Sequence, residues 1–317
     1  MGMTRILYAS DFHGSEAFFR KFLGAALHYK ADVLIVGGDV TGKAMIPVIH
    51  QGGGRYEAHL FGRKETPSTS EALDKLRQTI TNVGFYPIVL EQDEARALED
   101  DPAKMTQRFE QEMMERVRLW LGLAEDTLGP RSIHLYFMPG NDDVFAIDEV
   151  IRGYDHVHNP DGQRFWIDDD HELVGVAYAN MTPWRCARDV EEDVLAAKLE
   201  QAARLLQAPE RAIMAVHVPP YDSGLDVCPE LDENLQIVHR GGQVLMKAVG
   251  STSVRAVIER VQPLLSLHGH IHEAPGHTRI GRTLCINAGS EYAEGIMKAA
   301  IINLERDKVK GHVLISG

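Results

Sequence analysis

Residues 5–13 read Arg-Ile-Leu-Tyr-Ala-Ser-Asp-Phe-His, a short apolar run that ends just before Asp11 and His13. The run predicts a buried strand over residues 5–9. Side chains at positions i and i+2 of an extended chain point the same way. A carboxylate and an imidazole placed in this way can bind one cation together. On its own the tripeptide is a weak signal, because such pairs also occur by chance.

Four later fragments repeat this arrangement, each placing a polar side chain after a short apolar run. They are Gly38-Asp39, Gly140-Asn141-Asp142, His217-Val218-Pro219-Pro220 and Gly269-His270-Ile271-His272. Active sites of layered α/β proteins collect at strand ends in this way. The candidate metal ligands are therefore Asp11, His13, Asp39, Asn141, His217, His270 and His272.

These side chains offer oxygen and nitrogen atoms but no sulfur. Such a set suits Mn²⁺, Zn²⁺ or iron better than copper. A single four-coordinate zinc ion would leave several of the groups without a role. Two ions would need a bridging carboxylate, and Asp39, which stands alone after Gly38, is the natural candidate. The sequence thus predicts two divalent ions, with Mn²⁺ favoured.

Strands and helices alternate along most of the chain. The opening predicts a strand over 5–9, a helix over 16–28 and a strand over 32–36. This βαβ order predicts a parallel sheet. Further strands are predicted over 133–138, 173–178, 213–218, 264–267, 299–303 and 308–315, and a hairpin-like pair over 278–287. Further helices are predicted over 189–206 and 253–262. Asp189 is expected to cap its helix, and residues 229–249 to form a loop with a short helix.

Residues 43–130 interrupt this alternation, and we interpret them as a helix-rich insertion in a single domain that covers residues 1–317. The predicted parts of the insertion are a loop or hairpin over 51–67, a helix over 70–82 and a strand over 86–90. Asp101-Pro102 predicts the start of a further helix, because aspartate favours the N-cap and proline the first helical position. This helix either packs onto the body, covers the site as a cap, or forms an oligomer contact, so a homo-oligomer is one expectation.

Composition narrows the class of protein. A formal net charge of −13 disfavours a broad surface for duplex nucleic acid. The three cysteines share no C-x-x-C spacing, which fits a reducing compartment. No apolar run approaches the roughly 18–20 residues that a membrane helix needs, and no signal sequence precedes the first strand. We therefore expect a cytoplasmic protein without a membrane partner.

Other polar clusters are expected to be solvated or structural. The run Asp155-His156-Val157-His158 predicts a solvated loop, and His268 a packed histidine near the ligands. Residues 178–184 are expected to form one wall of the pocket. The basic side chains expected to lie on the solvated surface are Arg55, Arg63, Lys64, Arg185 and Arg188.

In their order along the chain, the fragments D-x-H, G-D, G-N-x-D, H-x-P-P and G-H-x-H resemble the motifs of the calcineurin-like metallophosphoesterase superfamily. The match spans residues 11–272, and residues 286–290 resemble the segment after the last motif. Within the superfamily, the chain looks most similar to bacterial and archaeal predicted phosphoesterases related to cyclic-nucleotide phosphodiesterases. It lacks the arginine-bearing motif of Ser/Thr protein phosphatases and the tyrosine ligand of purple acid phosphatases.

The resemblance implies a four-layered αββα sandwich whose motifs surround a binuclear metal centre. It places Asp11, His13, Asp39 and His272 on one ion, and Asp39, Asn141, His217 and His270 on the other. The implied activity is hydrolysis of a phosphate ester by a hydroxide that bridges the ions. A phosphodiester is favoured over a phosphomonoester as the substrate. Asn141 is then expected to hold a phosphoryl oxygen of a small phosphorylated substrate.

The chain departs from the family pattern at one position. The motif usually reads G-N-H followed by Asp or Glu, and its histidine assists the leaving group. Here Asp142 takes the histidine position and Asp143 the acidic one. Asp142 could act as a general acid, although nearby cations keep a carboxylate ionised. It could instead position a metal ion or water, or acid assistance could come from elsewhere. We expect an active enzyme without the usual histidine.

Two other classes of protein compete with this interpretation. An interaction protein can keep the fold without catalysis, as the phosphoesterase-like retromer subunit does. An interaction protein is disfavoured because all the types of metal-ligating residue are retained. Asp142 and the insertion favour it. A nuclease is disfavoured because the net charge is negative and because the sequence lacks a stripe of aromatic and basic residues for binding nucleic acid.

Overall fold

The computed structural model describes residues 2–317. The α-helices are α1 Glu16–Tyr29, α2 Ser70–Asn82, α3 Gln92–Glu99, α4 Pro102–Leu128, α5 Ile147–Arg152, α6 Glu192–Arg204 and α7 Thr252–Val261. Short 3₁₀ helices cover Gly129–Arg131, Pro209–Arg211 and Tyr292–Glu294. No helix within the described range is long and apolar enough to cross a bilayer.

The β-strands fall into two large sheets and several small ones. They are β1 Thr4–Ala9, β2 Val33–Gly37, β3 Met45–His50, β4 Tyr56–Leu60, β5 Arg63–Glu65, β6 Tyr86–Leu90, β7 His134–Met138, β8 Val157–His158, β9 Arg164–Trp166, β10 Glu172–Val176, β11 Ala179–Asn180, β12 Asp189–Val190, β13 Ile213–Val216, β14 Val227–Pro229, β15 His239–Arg240, β16 Gln243–Val244, β17 Met246–Ala248, β18 Leu265–His268, β19 Gly276–Ile280, β20 Thr283–Asn287, β21 Lys298–Glu305 and β22 Lys308–Ser316.

The first large sheet has the strand order β22-β21-β1-β2-β7-β8. In it β1, β2, β7 and β8 are parallel, and β21 runs antiparallel to β1. The second large sheet has the order β19-β20-β18-β13-β10-β9. Its strands β10, β13, β18 and β20 are parallel. Each sheet therefore presents the carboxyl ends of several neighbouring strands at one edge.

Alternation of side chains along the strands produces four layers. Leu7 and Ala9 of β1 share a buried cluster with α1 and α4 on the outer face of the first sheet. Ile6 and Tyr8 face the other way, into a cluster between the two sheets. The outer face of the second sheet packs against α6 and α7, for example through Val176. This order of helix, sheet, sheet and helix confirms the predicted αββα sandwich.

The segment 43–130 contains more strand than the sequence indicated. Strands β3 to β6 form a separate sheet of order β5-β4-β3-β6, and its small core includes Val48 and Ile80. Helix α4 does not belong to that core, because Val117 and Trp120 are buried with α1 on the first sheet. The packing of this helix onto the body agrees with the simplest of the three interpretations. A role as cap or oligomer contact stays a prediction.

Two local predictions are wrong. Asp189 does not cap α6, because the N-cap is Glu191 and Asp189 lies in β12. Residues 229–249 contain the last residue of β14, the strands β15 to β17 and no helix. The Gly241-Gly242 pair in that segment has positive φ angles of 61° and 82°, which suit a turn between two short strands and not a helix.

Replacing Trp120 by alanine should strongly destabilise the fold. The indole is 1% exposed, stacks on Phe19 with ring centroids 4.4 Å apart, and donates a hydrogen bond to Glu16 at 2.7 Å. We expect Trp120→Ala to lower the free energy of unfolding by about 3–5 kcal/mol, measured by urea denaturation. The neighbouring Leu119 is 69% exposed, so Leu119→Ala should change it by less than about 0.5 kcal/mol. Equal effects of the two substitutions would contradict this account of the packing.

Candidate metal centre

The motif residues lie just beyond the carboxyl ends of five strands, β1, β2, β7, β13 and β18. Three of these strands belong to the first sheet and two to the second. The site therefore forms where the edges of the two stacked sheets meet. This is the position that the sequence predicted, because the apolar runs end there and the loops begin.

Six of the predicted ligands form two groups of converging atoms. The first group is Asp11, His13 and His272, and the second is Asp39, His217 and His270. In each group, one ligand atom per residue lies within 4.8 Å of the others. The Nε2 atoms of His13 and His272 are 3.1 Å apart, and His272 Nε2 is 3.4 Å from Asp11 Oδ1.

Asp39 connects the two groups. One of its carboxylate oxygens, Oδ1, lies 3.4 Å from His217 Nε2 in the second group. The other, Oδ2, lies 3.6 Å from His13 Nε2 in the first group. The side chain is 6% exposed, so its carboxylate is enclosed between both sets of donors. Asp39 therefore adjoins both groups at once.

The donor set fits divalent ions. Ligand atoms about 2.0–2.2 Å from one ion are roughly 3.0–3.5 Å from each other, which matches the observed separations. Asn141 Oδ1 and His217 Nε2 are buried and have no hydrogen-bond partner within residues 2–317. Buried polar atoms are rarely left unpaired, and binding to a cation would satisfy both of these atoms. The residues present therefore fit bound divalent ions.

Four of these candidate ligands have a strained backbone conformation. Asp11, His13, Asp39 and His270 have positive φ angles of 60°, 41°, 49° and 66°. This left-handed region is uncommon for residues other than glycine, and it persists only where the surrounding structure imposes it. Each of these residues turns the chain sharply after a strand, which directs its side chain into the site. Sequence reasoning placed the residues but gave no sign of this strain.

Neighbouring groups fix the orientation of the donors. Asn141 Nδ2 donates a hydrogen bond to Asp189 Oδ1 at 2.8 Å, which leaves Asn141 Oδ1 to face the site. His217 Nδ1 lies 2.9 Å from the carbonyl oxygen of Gly37, so its Nε2 faces Asp39. A hydrogen bond to the atom that faces away from the site sets the orientation of a metal-ligating side chain and, for histidine, its tautomer.

Two further buried residues join the motif loops to one another. Asp143 accepts hydrogen bonds from the amides of Thr41 and Gly140, at 2.8 and 2.7 Å, and thereby ties the loop after β2 to the loop after β7. Asn287 donates a hydrogen bond to the carbonyl oxygen of Ile271 at 2.8 Å and holds the loop after β18. Asp143, the acidic residue of its motif, and Asn287, in the segment 286–290, therefore have structural roles beside the site.

Burial and mutual charge shift the pKa values of the histidines in opposite directions. Burial alone would lower the pKa of His217, but the carboxylate of Asp39 outweighs it and raises the pKa to about 9. Burial and the charge on His217 lower the pKa of His270 to about 3. Burial, followed by the charge on Lys43, lowers the pKa of His13. Burial thus prevails at His13 and His270, whereas the Asp39 carboxylate prevails at His217.

Asp142 lies at the open side of the site. Its Oδ2 is 3.8 Å from His13 Nδ1 and 3.4 Å from Lys43 Nζ, and the side chain is 30% exposed. The thiol of Cys186 donates to its Oδ1 at 3.5 Å. Burial and then the charge on Asp39 raise the pKa of Asp142, while Lys43 opposes the shift. The contact from Cys186 shows that the chain just after residues 178–184 borders the site.

The remaining polar predictions have mixed outcomes. Arg188 is not on the surface: it is 1% exposed and pairs with Asp148 at 2.9 Å. His268 is buried, with Nδ1 2.9 Å from the carbonyl oxygen of Val216, as a packed histidine should be. Val157 and His158 form the edge strand β8 instead of a loop, although His156 is exposed.

Sequence reasoning missed three residues around the site. Asp189 was assigned to a helix cap, Lys43 was not singled out, and neither was Tyr292, whose ring centroid lies 4.6 Å from that of His13. No local pattern marks any of the three as part of the site: Lys43 lies in the loop after β2, Asp189 in β12 and Tyr292 in a 3₁₀ helix.

Comparison with solved structures supports the fold. TT1561 of Thermus thermophilus has 15% sequence identity and a TM-score of 0.55, with 100% of this chain and 99% of that chain covered. Another crystal structure reaches 18% identity and a TM-score of 0.56, covering 99% of each chain. A dimetal phosphatase from Danio rerio is more distant, at 9% identity and a TM-score of 0.41, with 99% and 98% covered. No protein-family model and no curated protein matches the chain.

At these identities the similarity to TT1561 shows a shared fold and nothing further. The helix, sheet, sheet, helix order is the one that the family resemblance implied, and the motifs meet at one edge of it. The chain therefore has a four-layered αββα fold.

Proposed function

We propose that the protein is a metal-dependent phosphoesterase that acts on phosphodiesters in preference to phosphomonoesters. The observation that carries the proposal is the meeting of two donor groups, Asp11, His13 and His272 with Asp39, His217 and His270, through one enclosed carboxylate. Two divalent ions, Mn²⁺ in our proposal, would supply a hydroxide near neutral pH and offset phosphoryl charge. Asp39 would bridge them.

The residues of the chain would do the remaining work. Asn141 directs its amide oxygen inward because Asp189 holds the amide nitrogen. The buried histidines would fix the donor positions before substrate binds, and such preorganisation favours the charge distribution of the transition state. The open side near Asp142 would admit a small phosphorylated ester. We also propose that the protein has no duplex nucleic acid partner, from the net charge of −13, and that it is cytoplasmic, because its three cysteines share no C-x-x-C spacing.

Metal analysis combined with two assays tests this proposal. The metal-free protein would be titrated with Mn²⁺ by calorimetry and then assayed with bis(4-nitrophenyl) phosphate and 4-nitrophenyl phosphate. We expect two ions per chain and metal-dependent cleavage, faster for the diester. Faster cleavage of the monoester would make the protein a phosphomonoesterase and would leave the rest of the proposal in place. Absence of metal binding together with absence of cleavage would overturn the proposal in favour of an interaction protein.

A further inference from the structure

Lys43 places a positive charge at the open side of the candidate metal centre. Its Nζ atom lies 3.4 Å from Asp142 Oδ2, and its side chain is 46% exposed. The same Asp142 carboxylate belongs with His13 and Asp39 to a further group of atoms within 4.8 Å of one another. The ammonium therefore contacts a carboxylate that lies beside His13 of one donor group and Asp39 of the other, and it is accessible from solvent.

The loop that carries Lys43 is held firmly. Thr41 donates from its amide and its hydroxyl to Asp143, at 2.8 and 2.6 Å. The amide of Gly42 donates to the hydroxyl of Tyr86 at 2.6 Å. A Cβ atom at Gly42 would collide with the carbonyl oxygen of Gly84, so the chain passes closely there. The position of Lys43 relative to Asp39 is thus fixed by the fold.

Two buried arginines near the site are already engaged. Arg188 is buried against Asp148, and Arg116 is buried with Nη1 donating to the carbonyl oxygen of Gly14 at 3.1 Å. Lys43, by contrast, is half-exposed and pairs with Asp142 at 3.4 Å. An exposed ion pair of this kind contributes little to folding. Its position is better explained by contact with an anion.

We propose that Lys43 is a catalytic residue that binds a phosphoryl oxygen of the ester. The proposal rests on the function proposed above. The ammonium donates a charge-assisted hydrogen bond to an oxygen that faces away from the ions, and it stabilises the negative charge that grows there during attack. Asp142 holds the ammonium in place. No proton is transferred to or from Lys43 in this role.

The test uses Lys43→Met, Lys43→Arg and a control, Lys64→Met, in the full chain. Lys64 is similarly exposed and pairs with Glu57 at 2.9 Å in the same segment of the chain. The measurements are metal stoichiometry, calorimetric affinity for inorganic phosphate in the presence of Mn²⁺, and kcat/KM for the diester. We expect Lys43→Met to keep both ions, weaken phosphate about tenfold and lower kcat/KM roughly 10–100-fold. Lys43→Arg should recover part of both losses, and Lys64→Met should match the unmodified protein.

Three results would overturn the inference. Unchanged phosphate affinity and kcat/KM in Lys43→Met would remove Lys43 from the reaction. Loss of an ion in that variant would assign it a structural role. Equal losses in Lys64→Met would show a general charge effect. If the unmodified protein cleaves no ester and binds no phosphate, the proposed function fails first, and the inference fails with it.

Discussion

Asp39→Asn is expected to remove most of the activity while leaving the protein folded. The substitution keeps the size of the side chain but takes away its charge and one of the two equivalent oxygens that reach His13 and His217. An amide cannot bridge two cations as a carboxylate does, so at least one ion should bind much more weakly. We expect metal-dependent diester cleavage to fall on the order of 10³-fold.

The matched control for this change is Asp168→Asn. Asp168 is also a carboxylate held by hydrogen bonds, including one from Thr4 at the opposite end of β1. Its replacement should leave the number of bound ions and the turnover unchanged. Calorimetric titration with Mn²⁺ and the diester assay give both readouts. Near-normal turnover and two ions in Asp39→Asn would remove Asp39 as the bridge.

The sequence predicted the architecture of the site well because its signals are local. A buried parallel strand appears in the sequence as an apolar run. A metal-ligating residue that follows such a strand must lie at the edge of the sheet. Asp11, Asp39 and Asn141 follow strands of one sheet, and His217 and His270 follow strands of the other. That the two sheets stack with these edges together came from the family resemblance, because no local pattern specifies it.

The features that the sequence did not predict depend on tertiary contacts. Asp189 looks like a helix cap from its neighbours, yet it accepts hydrogen bonds from Asn141 and Thr182. The strands β3 to β5 are short and partly exposed, so their alternation is weak beside the glycine-rich turn at 52–54. Lys43 acquires its significance only because Asp142, about a hundred residues later, lies beside it. Such pairings cannot be inferred from spacing along one chain.

Asp142→Ala is expected to lower kcat/KM for the diester roughly 10–100-fold without loss of metal, the range typical of residues that position others. The backbone amide of Asp142, which donates to Asp39 Oδ1 at 2.9 Å, is retained in the variant. What is removed is the carboxylate that holds Lys43. Bound cations would keep this carboxylate ionised, which argues against a general acid.

A double-mutant cycle separates positioning from acid catalysis at Asp142. If Asp142 acts through Lys43, the double variant Lys43→Met with Asp142→Ala should be no slower than Lys43→Met alone, because effects on one shared contact are not additive. A series of diesters with progressively poorer leaving groups gives a second readout. The loss in Asp142→Ala should be the same across the series. A loss that grows as the leaving group worsens, together with additive effects in the cycle, would instead make Asp142 the proton donor, since only an acid acts on the departing oxygen.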